Sequence, residues 1–167
     1  MNESLYATDT TGVGGSATIA SVIEPSVVSL TIPCAAEYVG TARLTILGVA
    51  SRMGFSYDQV EDVRLAVGEA CTNAIARADA ATGDAALQSI TIESHIEPSQ
   101  RVVEISDTVA TSAPPVDNDD MTAGDDVNAA ELGALLMEIL VDEVVIETAP
   151  AGTHVRLTKY AVTNTAG

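Results

Sequence analysis

The stretch from Tyr57 to Ile75, YDQVEDVRLAVGEACTNAI, decides the fold. Val60, Val63, Val67, Ala70, Cys71, Ala74 and Ala78 recur at three- and four-residue steps, so a helix over about Asp58 to Ala78 presents them as one buried stripe. Asp62, Glu69 and Asn73 fall on a different side of it. Glu69 and Asn73 are one helical turn apart, which sets a carboxylate that can take a proton beside a carboxamide oxygen that can bind a hard cation. That pairing suits a magnesium-nucleotide site. A bare Glu-x-x-x-Asn also occurs as a solvated polar face, so the surrounding chain has to choose between the two.

Upstream, SVVSLTI (Ser26 to Ile32) alternates as a strand closed by Pro33, and a helix follows over about Glu37 to Met53, with Gly54 as its stop. Ser56 or Asp58 caps the next helix. Downstream of a polar loop around Thr82-Gly83-Asp84, LQSITIESHI (Leu87 to Ile96) and RVVEISDTV (Arg101 to Val109) form a hairpin turning at Pro98-Ser99. A third helix covers about Ala129 to Leu140, and EVVIETA and THVRLTKY pair across Pro150-Ala151-Gly152. Strands clustered with helices, without strict alternation, predict an α+β two-layer sandwich: a mostly antiparallel mixed sheet with helices on one face. Residues 1 to 25, rich in Gly, Ser, Thr and Ala without periodicity, read as a disordered tail, with the domain over 26 to 162 and a short tail from 163 to 167.

The chain has 167 residues, 47% of them hydrophobic, enough for one domain with a real core. Its net charge of -17, with only 7 Lys and Arg, argues against direct contact with nucleic acid or an anionic membrane, because phosphate contacts need cations. A protein partner with basic patches fits better. No run of 18 apolar residues and no basic N-terminal leader is legible, so the cytoplasm is the expected compartment. Cys34 and Cys71 lack metal-ligand spacing and read as small buried thiols; His95 and His154 read as strand residues, not ligands.

Three blocks in order, EYVGTARLTILGVASRMGFSYDQVEDVRLAVGEACTNAI (Glu37 to Ile75), LMEILVDEV (Leu136 to Val144) and THVRLTKY (Thr153 to Tyr160), carry a family likeness. From about Val28 to Tyr160 the chain resembles the RsbW-type anti-sigma factor serine kinases of the histidine-kinase-like (GHKL) ATPase superfamily. The resemblance implies a Bergerat-type ATPase fold, ATP with Mg²⁺ as cofactor, and bacterial transcription and stress-response control. It implies Glu69 as general base toward a partner's serine, Asn73 as the Mg²⁺ ligand, Asp107 on the adenine amine and Gly133 in the phosphate-facing turn. The partners it implies are a sigma factor and an anti-sigma-factor antagonist of the STAS type, and homodimers are known in the family.

The glycine boxes depart from the family pattern. Where an Asp-x-Gly-x-Gly turn is usual, the chain reads Asp107-Thr108-Val109-Ala110-Thr111, and where Gly-Gly-Leu-Gly is usual it reads Ala130-Glu131-Leu132-Gly133. The intervening lid composition, Ala110 to Ala130, holds five aspartates, and no Lys or Arg occurs from Val102 to Val155. At about 4 Å, like charges repel by about 4 kcal/mol at an effective dielectric near 20, a large share of the roughly 8 kcal/mol behind micromolar binding. Two function classes therefore stand: an ATP-using kinase and anti-sigma factor, or a nucleotide-free binding module of the same fold.

Overall fold

The computed structural model describes residues 26–52, 54–82, 88–97, 100–109 and 126–161. Both tails, the Pro98-Ser99 turn, the loop at Gly83-Asp84 and lid residues 110–125 lie outside the described residues. In chain order the elements are β1 (Ser26–Pro33), a 3-10 turn (Ala36–Tyr38), α1 (Val39–Ala50), α2 (Tyr57–Thr82), β2 (Ser89–Ile96), β3 (Gln100–Asp107), α3 (Asp126–Leu140), β4 (Glu143–Ala149) and β5 (Gly152–Tyr160). The strands form one sheet in the order β1-β2-β3-β5-β4, with every pair antiparallel. The α+β sandwich is as expected, except that no parallel pair occurs among the described residues.

Local chemistry sets the element ends. Gly54 adopts φ 73, a left-handed conformation that glycine takes without steric cost, and so releases the chain from α1. A reciprocal capping box then starts α2: the Gln59 N–H donates to Ser56 Oγ at 3.3 Å, and the Ser56 N–H donates to Gln59 Oε1 at 3.1 Å. Gln59 Nε2 also donates to the Tyr160 carbonyl at 3.0 Å, tying this helix start to the end of β5. The helix runs to Thr82, four residues past the apolar stripe that predicts it, and α3 begins at Asp126 inside the lid-like sequence. Polar composition there marked the helix's acidic first turn as loop.

The predicted stripe is the core. Val63, Val67, Ala70, Cys71, Ala74 and Ala78 of α2 are buried together with Ile32, Ile90, Ile92, Val103, Ile105, Val155 and Leu157 of the strands, and with Ala42 and Ile46 of α1. Helix α2 is the central element, packed on α1, α3, β3 and β5. Small side chains along its stripe let the backbone approach the sheet closely. Lys159 Nζ fastens the far end, donating to the Leu140 carbonyl at 2.8 Å and to Asp62 Oδ2 at 3.1 Å, a cation placed on the C-terminus of α3. No helix among the described residues is long and apolar enough to cross a membrane.

Cys34 and Cys71 are free and buried. Burial, reinforced by Cys34, pushes the Cys71 thiol from an ordinary 9.0 up to about 12, and burial shifts Cys34 in the same direction, followed by the Asp107 and Asp79 carboxylates. These thiols are poor nucleophiles.

Two outcomes follow from this core. Val67→Asp places an unpaired charge at a fully buried site, costing several kcal/mol against a total of about 5 to 15 kcal/mol, so circular dichroism should show an unfolded chain; an unchanged melting temperature would contradict the packing. Between the unfolded thiol's pKa of 9.0 and the folded value of about 12, the unfolded state holds fewer protons, so stability falls as pH rises. Urea midpoints should decline above pH 9, and less steeply in Cys71→Ala.

Candidate functional site

Burial of the apolar stripe turns one flank of α2 toward the α3 end of the molecule. Glu69, Asn73 and Arg77 follow one another at four-residue steps on that side, each half-buried. Among the described residues, neither the Glu69 nor the Asn73 side chain makes a hydrogen bond or ion pair. Both are therefore available to a ligand. Gly133 of α3 comes onto Asn73: a Cβ there would lie 2.5 Å from Asn73 Nδ2 and 2.9 Å from its Oδ1. Three of the four residues singled out in the sequence thus sit in one neighbourhood, with Gly133 allowing the helices to close over the carboxamide. Glu131, two residues before it, is exposed.

Asp107 occupies the same end of the sheet for a separate reason. Alternation along β3 turns Val103, Ile105 and Asp107 to the helix-covered side, so the strand that builds the core ends by presenting a carboxylate beneath α2. Its side chain is 2% exposed, and its Oδ2 lies 2.6 Å from Arg77 Nη2. Its Oδ1 accepts the backbone N–H groups of Val109 and Thr153, each at 3.1 Å. Gly152 makes this possible: at φ 148 it passes so close to Asp107 that a Cβ would collide with the Asp107 carbonyl oxygen.

Arg77 escapes a search for carboxylates, carboxamides and glycines. Its signal was in the sequence all the same, one helical turn beyond Asn73 on the polar ladder. What no spacing reveals is its partner 30 residues away. Arg43 of α1 flanks the other end of the ladder, lying over Gly68, where a Cβ would collide with its guanidinium. The two histidines stand on strands, as expected, with His95 Nε2 3.1 Å from Glu104 Oε2 on the sheet face away from the helices.

Sequence comparison gives this geometry a context. Residues 32–159 match the histidine kinase-like ATPase domain. The chain belongs to that family. Among its relatives in the histidine kinase-like ATPase family, the serine-protein kinase RsbW of Bacillus velezensis is 38% identical over 138 residues, covering 80% of this chain and 84% of the relative. RsbW of Bacillus subtilis is 36% identical over 138 residues, with 80% and 84% covered. RsbW of Staphylococcus aureus is 36% identical over 141 residues, with 80% and 86% covered.

A magnesium nucleotide fits one end of this family member's site better than the other. At the Glu69–Asn73–Gly133 end the polar atoms are free and glycine leaves room for close approach. At the Asp107 end the carboxylate is already engaged on both oxygens, one of them by a guanidinium.

Because Gly152 is held against the Asp107 carbonyl, Gly152→Ala should lower thermal stability by about 1 to 3 kcal/mol while Ala151→Gly at the neighbouring exposed position changes it little. Equal melting temperatures for Gly152→Ala and wild type would show that the close approach is absent.

Proposed function

We propose that this chain is an anti-sigma factor of the RsbW type: it sequesters an RNA polymerase sigma subunit and is countered by an anti-sigma-factor antagonist of the STAS type. The observation that carries the reading is the free Glu69–Asn73 pair on α2, closed over by Gly133, in a chain matching the RsbW kinases over 80% of its length. Residues 26–162 form the active domain in this reading, the two tails flank it, the cytoplasm is its compartment, and self-association as a homodimer belongs to the same expectation.

Mg-ATP, when bound, supplies a γ-phosphoryl group for transfer to a serine of the antagonist. Glu69 accepts the proton of the serine hydroxyl on its carboxylate, and its partial exposure leaves it open to a hydroxyl arriving from a second protein. Asn73 would hold Mg²⁺ through its carboxamide, and Gly133 keeps the α3 backbone close to that side chain. Asp107 is the group assigned to the adenine amine.

Surface character supports the protein partner. Leu132, Leu135, Leu136 and Ile139 are exposed on α3 at helical spacing, with Glu131 and Glu138 beside them. An apolar stripe rimmed by carboxylates suits a partner helix with apolar residues and Lys or Arg at its edges, and a chain of net charge -17 steers such a partner toward it. The second reading, a nucleotide-free module acting by protein-protein contact only, is favoured by one observation: the Arg77–Asp107 pair.

The test is capture of sigma factors and antagonists encoded by the same organism, with and without Mg-ATP, at two ionic strengths. Sigma capture should weaken as salt rises, and Glu69→Gln should keep capture and melting temperature while losing phosphoryl transfer by at least a hundredfold. Absence of capture under every condition would refute the anti-sigma assignment; phosphoryl transfer retained by Glu69→Gln would refute the role of Glu69.

A further inference from the structure

The Asp107 carboxylate has no unclaimed oxygen. Oδ1 accepts two backbone N–H groups, from Val109 and Thr153, and Oδ2 receives Arg77 Nη2 at 2.6 Å, a charge-assisted bond. Because the carboxylate is 2% exposed, that bond lies where water screens it little. An amine donated by a purine base would have to share Oδ2 with a guanidinium or displace it.

The two partners differ in freedom. Asp107 is fixed by Val109 and Thr153 and by the close passage of Gly152, so it cannot turn away. Arg77 is held on α2 only by its stem: its side chain is 29% exposed and its Nε is buried with no hydrogen-bond partner. The incompletely satisfied guanidinium is the element that can move, outward toward solvent. It also stands one helical turn from Asn73, inside the same site.

We propose that Arg77 occludes the base-reading end of the nucleotide site: its guanidinium occupies the position of the adenine amine on Asp107, so that the empty site is self-satisfied and adenine is read there only by displacing it. This rests on the reading of the α2 face as a nucleotide site and extends it. With Arg77 in place, Asp107 is neutralised without ligand, and the junction of α2, β3 and β5 keeps its shape in the absence of ATP. Sigma capture then does not require nucleotide, and adenine is recognised weakly. Freed of Arg77, the same carboxylate can read adenine, whose amine donates, in preference to guanine, whose carbonyl at that position would face it.

The experiment is calorimetric titration of the whole chain with Mg-ADP and with Mg-GDP, in wild type, Arg77→Ala and Arg77→Gln. Cooperative melting establishes which variants are folded, and the glutamine variant decides if the alanine variant does not fold. The expected result is at least a tenfold gain in Mg-ADP affinity over wild type with a change of less than threefold for Mg-GDP. Unchanged or weaker Mg-ADP binding, no binding by any of the three proteins, or an equal gain for both nucleotides would overturn the role of Arg77. Sigma capture measured on the same samples without nucleotide separates the two ideas: capture with no gain in ADP affinity refutes the Arg77 proposal alone, whereas loss of capture from wild type refutes the anti-sigma reading.

Discussion

Burial of one side of α2 against β3 and β5 is the constraint on which the molecule depends. Val63, Val67, Ala70 and Ala74 can reach the inner face of the sheet only if the helix is rotated so that Glu69, Asn73 and Arg77 line one flank beside that stripe. Each apolar group removed from water contributes about 25 cal/mol per Å², a sum no single polar contact approaches, so core packing sets the helix rotation and the polar ladder follows. Strand alternation acts likewise on β3, where the residues that fill the core leave Asp107 as the last inward position. Site and core are two consequences of the same periodicities.

Electrostatics then discriminates between the two ends of the site. Cations are scarce: the chain has 7 Lys and Arg against 24 Asp and Glu. Several of those cations are committed within the fold, with Lys159 on Asp62, Arg64 on Glu61, Arg156 near Glu104 and Arg77 on Asp107. Of these pairs, Arg77–Asp107 has the most deeply buried carboxylate. Exposed pairs contribute little, whereas separating a buried pair strands a charge at low dielectric. The energetic weight of the acidic site therefore concentrates at the Arg77–Asp107 end, while Glu69 and Asn73 stay open.

Much of this was legible in the sequence where local rules apply. The α2 stripe, the Gly54 stop, the Ser56 cap, five strands and the two hairpins β2–β3 and β4–β5 follow from periodicity and turn chemistry, and Glu69, Asn73 and Gly133 do lie together, whereas the antiparallel joins of β1 to β2 and β3 to β5 replace the mixed sheet expected. What escaped was non-local. The start of α3 at Asp126 was masked by acidic residues that also compose loops, and the Asn73–Gly133 contact spans two helices. The family resemblance singles out Asp107 as a candidate, but its engagement by Arg77, Val109 and Thr153 depends on the chain folding back through β5 and the Gly152 turn. Spacing along one element reveals faces; it does not reveal which side chain from another element has already claimed an acceptor.

The most direct test of the account is a pair of crystal structures of the wild-type chain, one nucleotide-free and one saturated with Mg-ADP. The account predicts the Arg77 guanidinium on Asp107 Oδ2 in the first; in the second, adenine on that oxygen, Arg77 turned to solvent and Mg²⁺ on Asn73. Nucleotide bound with the Arg77–Asp107 pair intact, or a free structure in which Arg77 is already solvated, would contradict it.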